Sequence, residues 1–243
     1  MPRSIDAKTL VRDIVRAHPG SVRALDRFRL DWCYGAQKTL AEACASARVP
    51  LADVVLALAD EPDGAADDLV FPPTTEPLTG MIGRVLTTHH ALSRSEGPRL
   101  RELSTKVARK HGSAHPALLG LAELVHGLFD ELGAHMDREE RVLFPYIEAL
   151  EKNAELHAVI AHPLTSLRAA IHVMNSDHAA AGRLLDDIAQ ATEHFTTPPG
   201  ACGSWTSLCD RLRAHDNDLR RHVWLENEVL FPRALELERL ALG

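Results

Sequence analysis

The chain has 243 residues, 45% of them hydrophobic and 25% charged, enough to bury a substantial core as one or two domains. Its net charge of -7, with acidic and basic residues interspersed, excludes a basic nucleic-acid footprint. Four scattered cysteines without a CxxC pair exclude a disulfide scaffold and a structural zinc site. No run approaches the roughly 20 apolar residues of a membrane helix. Met1-Pro2-Arg3-Ser4-Ile5-Asp6 opens no apolar signal segment, so a cytoplasmic protein is expected.

Residues 1–60 read as a small helical domain. Leu10, Ile14 and Ala17 recur at helical spacing until His18-Pro19-Gly20 stops the helix. Further helices are expected over Ser21–Phe28, Thr39–Arg48 and Leu51–Ala59. Asp60-Glu61-Pro62-Asp63-Gly64 and the prolines at 72, 73 and 77 mark residues 61–77 as a linker. Residues 78–243 then alternate long helical stretches with short breaks. One runs from Leu78 to Lys110, with an interruption or a kink expected at Gly97-Pro98. A second runs from His115-Pro116 to Glu151, a third from near His162-Pro163 to Phe195, and a fourth from Ser204 to Leu240. Pro145 and Pro232 should kink or restart the second and fourth. No segment alternates like a strand. The expected fold is all-α: a four-helix bundle preceded by a small helical domain.

One signature occurs twice. His135-x-x-x-Glu139 leads into Val142-Leu143-Phe144-Pro145, and His222-x-x-x-Glu226 leads into Val229-Leu230-Phe231-Pro232, 87 positions on. Residues i and i+4 share a helix face, so each copy aims an imidazole and a carboxylate the same way. The other two helices offer His89-His90 and His178, and His90 to His178 is 88 positions. Two hairpins, each with one lone His and one HxxxE, give the set His90, His135, Glu139, His178, His222 and Glu226. His89 competes with His90, since only one of two neighbours can face inward.

Imidazole and carboxylate without thiolate favour iron or manganese over closed tetrahedral zinc. Two metals sharing both Glu and taking two His each would have room for a water-derived bridge and one open position apiece. Glu131 and Asp218, each four residues before a His of the signature, are candidates to accept the second imidazole N–H. Asp177 beside His178 is a weaker one, because adjacent helical residues point apart. His111, His126, His157, His162, His172, His194 and His215 read as caps, surface residues or side chains on other faces; His215 shares the face of His222 but lies about 10 Å away along the helix.

These residues resemble the di-iron iron–sulfur-cluster-repair proteins, whose C-terminal domain is hemerythrin-like. The likeness takes in Leu30-Asp31-Trp32-Cys33, Lys106-Val107, His111-Gly112, His115-Pro116 and His135-x-x-x-Glu139-Glu140. It continues through Ser176-x-His178-x-x-x-Gly182, Pro198-Pro199-x-x-Cys202-x-x-Trp205 and His222-x-x-Leu225-Glu226-Asn227 into Phe231-Pro232-Arg233-Ala234. The family's six ligands fall on the set above, with His90 rather than His89. Where the family reads Asp-Tyr-Cys-Cys-Gly-Gly, this chain has Asp31-Trp32-Cys33-Tyr34-Gly35-Ala36, leaving Cys33 as a single candidate thiol. The oxygen-carrying hemerythrins use a further His; Gly182, one turn after His178, supplies none.

The resemblance implies two iron ions, oxo- or hydroxo-bridged, and a role in restoring clusters damaged by oxidative or nitrosative stress, by iron delivery or by nitric oxide chemistry. It implies damaged iron–sulfur proteins as clients, nitric oxide and oxygen as small ligands and an electron donor as partners; a homodimer is one option for the assembly, and charge and hydropathy point to neither nucleic acid nor membrane. The alternatives are an oxygen or nitric oxide sensor and a nitric oxide reductase.

Overall fold

The computed structural model describes residues 5–61, 76–156 and 166–242. Among these residues the chain is helical, with no strand beyond an isolated bridge between Leu10 and Thr39. No described helix is long and apolar enough to cross a membrane. Most of the linker expected at 61–77 lies outside the described residues, as do His157 and His162.

Contacts divide the chain into two compact units: Met1–Thr74 with Val223–Glu228, and Thr75–His222 with Val229–Gly243. The first unit carries four short helices, α1 (Val11–Ala17), α2 (Ser21–Arg27), α3 (Leu40–Ala47) and α4 (Leu51–Asp60). Their starts and stops follow local chemistry. Thr39 and Glu42 close a reciprocal capping box at the start of α3, and Arg48 ends that helix in the left-handed region. Val11, Val15, Leu25, Leu40 and Val54 fill the core. Asp31 Oδ1 accepts the backbone N–H groups of Cys33 (3.1 Å) and Tyr34 (3.0 Å), a turn that holds Cys33 buried. Trp32 packs on Trp224 within this unit, ring centres 5.9 Å apart.

The second unit is a bundle of four rods. The first is α5 (Leu78–Arg84), a π-helical turn Val85–His90 and α6 (Ala91–His111). The second is α7 (Ala117–Arg138), a π-turn Glu139–Leu143 and α8 (Phe144–Leu156). The third is α9 (Leu167–Ala191); the fourth is α10 (Gly203–Leu225), a π-turn Glu226–Leu230 and α11 (Phe231–Leu242), a continuous rod of which the stretch Val223–Glu228 is grouped by its contacts with the first unit. Leu100, Leu121, Leu128, Leu185, Leu208 and Leu230 are among the side chains that fill the interior between them.

The prolines act in two ways. Pro145 and Pro232 each stand two positions after the end of a π-turn, so the expected break takes the form of a widened turn. Pro232 has no N–H to offer the carbonyl of Glu228. That carbonyl accepts from Arg16 (2.6 Å), whose guanidinium also pairs with the Glu228 carboxylate (2.8 Å) inside the first unit. Gly97-Pro98, by contrast, does not interrupt α6. A Cβ on Gly97 would come 3.0 Å from the Phe129 ring, so the glycine serves close helix packing rather than a break. At the α6–α7 turn, a Cβ on Gly112 would collide with Leu119 and the Ala108 carbonyl. The third helix ends at Ala191 rather than Phe195, because Glu193, His194 and Phe195 all have positive φ.

Candidate metal centre

Six side chains converge inside the bundle. His90 closes the first π-turn; His135 and His222 lie in the last turns of α7 and α10; Glu139 and Glu226 open the π-turns that follow; His178 lies mid-way along α9. All six are buried, His90, Glu139 and Glu226 completely. They form two overlapping sets of potential ligand atoms, each within 4.8 Å: His90, Glu139, His222 and Glu226, and His135, Glu139, His178 and Glu226. Each carboxylate belongs to both sets, and each imidazole to one. The structure therefore brings together every one of the six residues singled out by the repeat.

Glu139 Oε2 faces His90 Nε2 and His135 Nε2, both at 3.2 Å, and His178 Nε2 lies 3.1 Å from His135 Nε2. Neither oxygen of Glu139 accepts a hydrogen bond. A fully buried carboxylate with no donor is strongly disfavoured unless a cation compensates it. Four imidazoles and two carboxylates with no thiolate are a donor set suited to iron. The residues fit a pair of metal ions sharing both carboxylates.

The imidazoles are oriented from behind. His90 Nδ1 lies 2.7 Å from Glu140 Oε1, which also accepts from Arg94 at 2.6 Å. Burial pushes the Glu140 carboxyl up, but the hydrogen bonds from Arg94 and His90 outweigh it and hold it below the usual range. His135 Nδ1 lies 3.5 Å from Asp177 Oδ2, which accepts from Arg138 at 2.6 Å. Each arrangement favours the tautomer whose Nε2 lone pair faces the interior. The expected partner of His135, Glu131, is exposed instead. Asp177 takes that place because it points away from its neighbour His178 and across to α7. Asp218, expected behind His222, lies 2.9 Å from His89 Nδ1, and the His89 ring stacks on that of His222 with centres 5.2 Å apart. That contact turns His89 away from both four-residue sets and resolves its competition with His90.

Sequence reasoning missed Glu140, although it stands in the quoted motif, and it missed the role of the Phe-Pro tail. Phe144 packs on His90 with ring centres 5.9 Å apart, and Phe231 on His178 at 6.2 Å. Each hairpin thus uses its own tail to pack its own lone His; recurrence of the phenylalanine at 87 positions was the available signal. Of the other histidines, His172 and His194 are exposed and His126 lies 3.3 Å from Thr105 Oγ1. His215 is buried, with no partner for either ring nitrogen, and burial pushes it down to about 4.

The Hemerythrin HHE cation binding domain matches residues 81–234. Over 225 residues the chain is 32% identical to the iron-sulfur cluster repair protein YtfE of Yersinia pestis (strain Pestoides F), covering 91% of this chain and 94% of that protein. YtfE of Yersinia pseudotuberculosis (serotype O:1b, strain IP 31758) gives the same figures. The chain belongs to the hemerythrin-like cluster-repair family. The match in the bundle spans all six converging residues, and the cofactor of this family member is a pair of iron ions.

Proposed function

We propose that this protein is a cytoplasmic non-haem di-iron protein that helps restore iron–sulfur clusters damaged by oxidative or nitrosative stress. The observation that carries the reading is the sharing of Glu139 and Glu226 between the two four-residue sets. Likeness to proteins named for cluster repair over 91% of the chain supports the choice of process. His90 and His222 would hold one iron and His135 and His178 the other, with Glu139 and Glu226 within reach of both. When bound, the iron pair supplies one-electron redox chemistry, an open position for nitric oxide or oxygen, and iron that can be released.

The chain's own residues set the conditions. Glu140 and Asp177 hold protons on Nδ1 of His90 and His135, keeping Nε2 available inward. Phe144, Phe231 and Leu143 are buried and keep water from the site. Both carboxylate–imidazole pairs end on half-exposed arginines, Arg94 and Arg138, so charge at the site is tied to the bundle surface. Residues 1–60 form a domain that docks iron–sulfur clients and an electron donor, 61–77 the linker, and 78–243 the di-iron bundle; the working unit is a homodimer.

The test is to load the protein with ferrous iron, measure iron per chain, and mix it with an apo iron–sulfur acceptor and, separately, with nitric oxide. Transfer of iron with recovery of acceptor activity is the expected result. Nitric oxide held without consumption or transfer would make the protein a sensor, and release of nitrous oxide a reductase; either, without transfer, refutes repair.

A further inference from the structure

A second reactive constellation lies at the other end of the bundle. His111 ends α6, and Cys202 immediately precedes α10. Cys202 Sγ lies 3.1 Å from His111 Nε2. The buried Trp205 ring packs against His111 (centres 5.0 Å apart) and edge-on against His115 (4.8 Å). Trp205 also forms one wall of a cleft of about 270 Å³, with His115, Pro116, Thr192, Glu193 and Pro198 around it. The last turn of α6 brings Arg109 and Lys110 to the same end. Cys33, Cys44 and Cys209 are all buried, whereas Cys202 is half-exposed.

We propose that Cys202 and His111 form a nucleophilic thiol–imidazole pair, a modification site for small carboxylate-bearing disulfides. The Cys202 thiolate attacks one sulfur of the incoming disulfide. The new S–S bond forms as the old one breaks, and the expelled thiolate takes the proton that His111 had received from Cys202. Two electrons stay within the sulfur chain, so no outside oxidant is needed. The cleft beside Trp205 receives the organic part, and Lys110, whose charge already acts on Cys202, attracts its carboxylates.

The electrostatics agree with this geometry. The Cys202 thiol is drawn down to about 7, first by the hydrogen bond with His111, then by the backbone N–H groups of Trp205 and Ser204 and by Lys110. Burial pushes Cys44 and Cys209 up instead. Of the remaining charged or titratable neighbours, His115 packs edge-on against Trp205 and Glu193 lines the cleft. Cys202 precedes His222 by 20 positions, about 30 Å of helix, so modification leaves the iron ligands untouched.

The probe is 5,5′-dithiobis(2-nitrobenzoate), a carboxylate-bearing aromatic disulfide, added to the iron-loaded full-length protein. A fast phase is expected at Cys202, located by peptide mass, with a rate that rises through a midpoint near pH 7 and iron content unchanged. Cys202→Ser removes that phase. His111→Gln moves the midpoint toward the roughly 8.5 of an ordinary thiol and slows the reaction about threefold at pH 7, loss of thiolate outweighing its greater nucleophilicity. A fast phase at another cysteine, or a wild-type midpoint near 8.5, overturns the proposal; both are read on the wild-type protein whether or not the variants fold.

Discussion

Replacing Glu140 by alanine tests whether the carboxylate behind His90 controls iron binding. In the native site Glu140 Oε1 lies 2.7 Å from His90 Nδ1 and accepts from Arg94 at 2.6 Å. Without it nothing favours the tautomer that leaves Nε2 as an acceptor, and the ring loses the polarisation that makes it a stronger ligand. Removing such an outer partner weakens metal binding by about 10- to 100-fold, or about 1.4–2.7 kcal/mol. The lower half of that range is expected. The Glu140 side chain is 28% exposed, so water can take over the Nδ1–H, and Phe144 still packs on the imidazole. Glu140→Gln keeps an acceptor oxygen and should lose less. The assay is competition for ferrous iron with a graded series of chelators, alongside far-ultraviolet circular dichroism as a check on folding. Wild-type affinity in Glu140→Ala, or a larger loss in Glu140→Gln than in Glu140→Ala, would refute the tautomer reasoning.

Glu139→Ala and Glu226→Ala should each strip iron from both halves of the site, because each carboxylate serves both sets, while the exposed His172→Ala leaves iron content unchanged; metal analysis decides. Phe144→Ala removes a fully packed ring and should destabilise the apoprotein by about 3–5 kcal/mol in chemical denaturation. His215→Leu should flatten the acid side of the stability profile. Burial, opposed by Asp218 and Glu96, pushes His215 down to about 4 from an ordinary 6.5, so the unfolded chain binds its proton first. Its native contribution is complete above pH 6.5 and is lost as pH falls toward 4, a swing on the order of 3 kcal/mol. Urea midpoints measured between those pH values in both proteins would read the difference, and parallel profiles would count against it.

The short helices of residues 1–60 and the four rods were legible because their stops are local: His18-Pro19-Gly20, the Thr39 cap and the turn at Gly112 need only neighbouring residues. The six converging side chains were legible for a different reason. A duplicated hairpin writes the same geometry twice, and the period exposes it. The groups behind the imidazoles were not. Glu140 serves a histidine 50 positions away and Asp177 one 42 away, and no spacing on a single helix encodes a contact between helices. Spacing pointed instead to Glu131, which sits on the correct helix but faces solvent. The same limit hid the thiol–imidazole pair, whose members stand 91 positions apart. Pro145 and Pro232 announced a break without its form, since a proline removes a donor but leaves open how the turn before it relaxes.

The paired π-turns constrain how this chain can change length. A π-turn holds one more residue than an α-turn, which advances everything after it by about 100° around the axis. That offset lets the signature glutamate face one way while the phenylalanine five positions later turns onto the lone histidine of the same hairpin. Losing one residue within Glu139–Leu143 would restore a regular helix, leave His135 where it is and swing Phe144 off His90. Insertions and deletions are thus tolerable at the hairpin tips and forbidden between each signature histidine and its proline, whatever the composition of that stretch. The interval from His to Pro is ten residues in both halves. It behaves as a fixed-length gauge, and homologous bundles should vary in sequence inside it long before they vary in length.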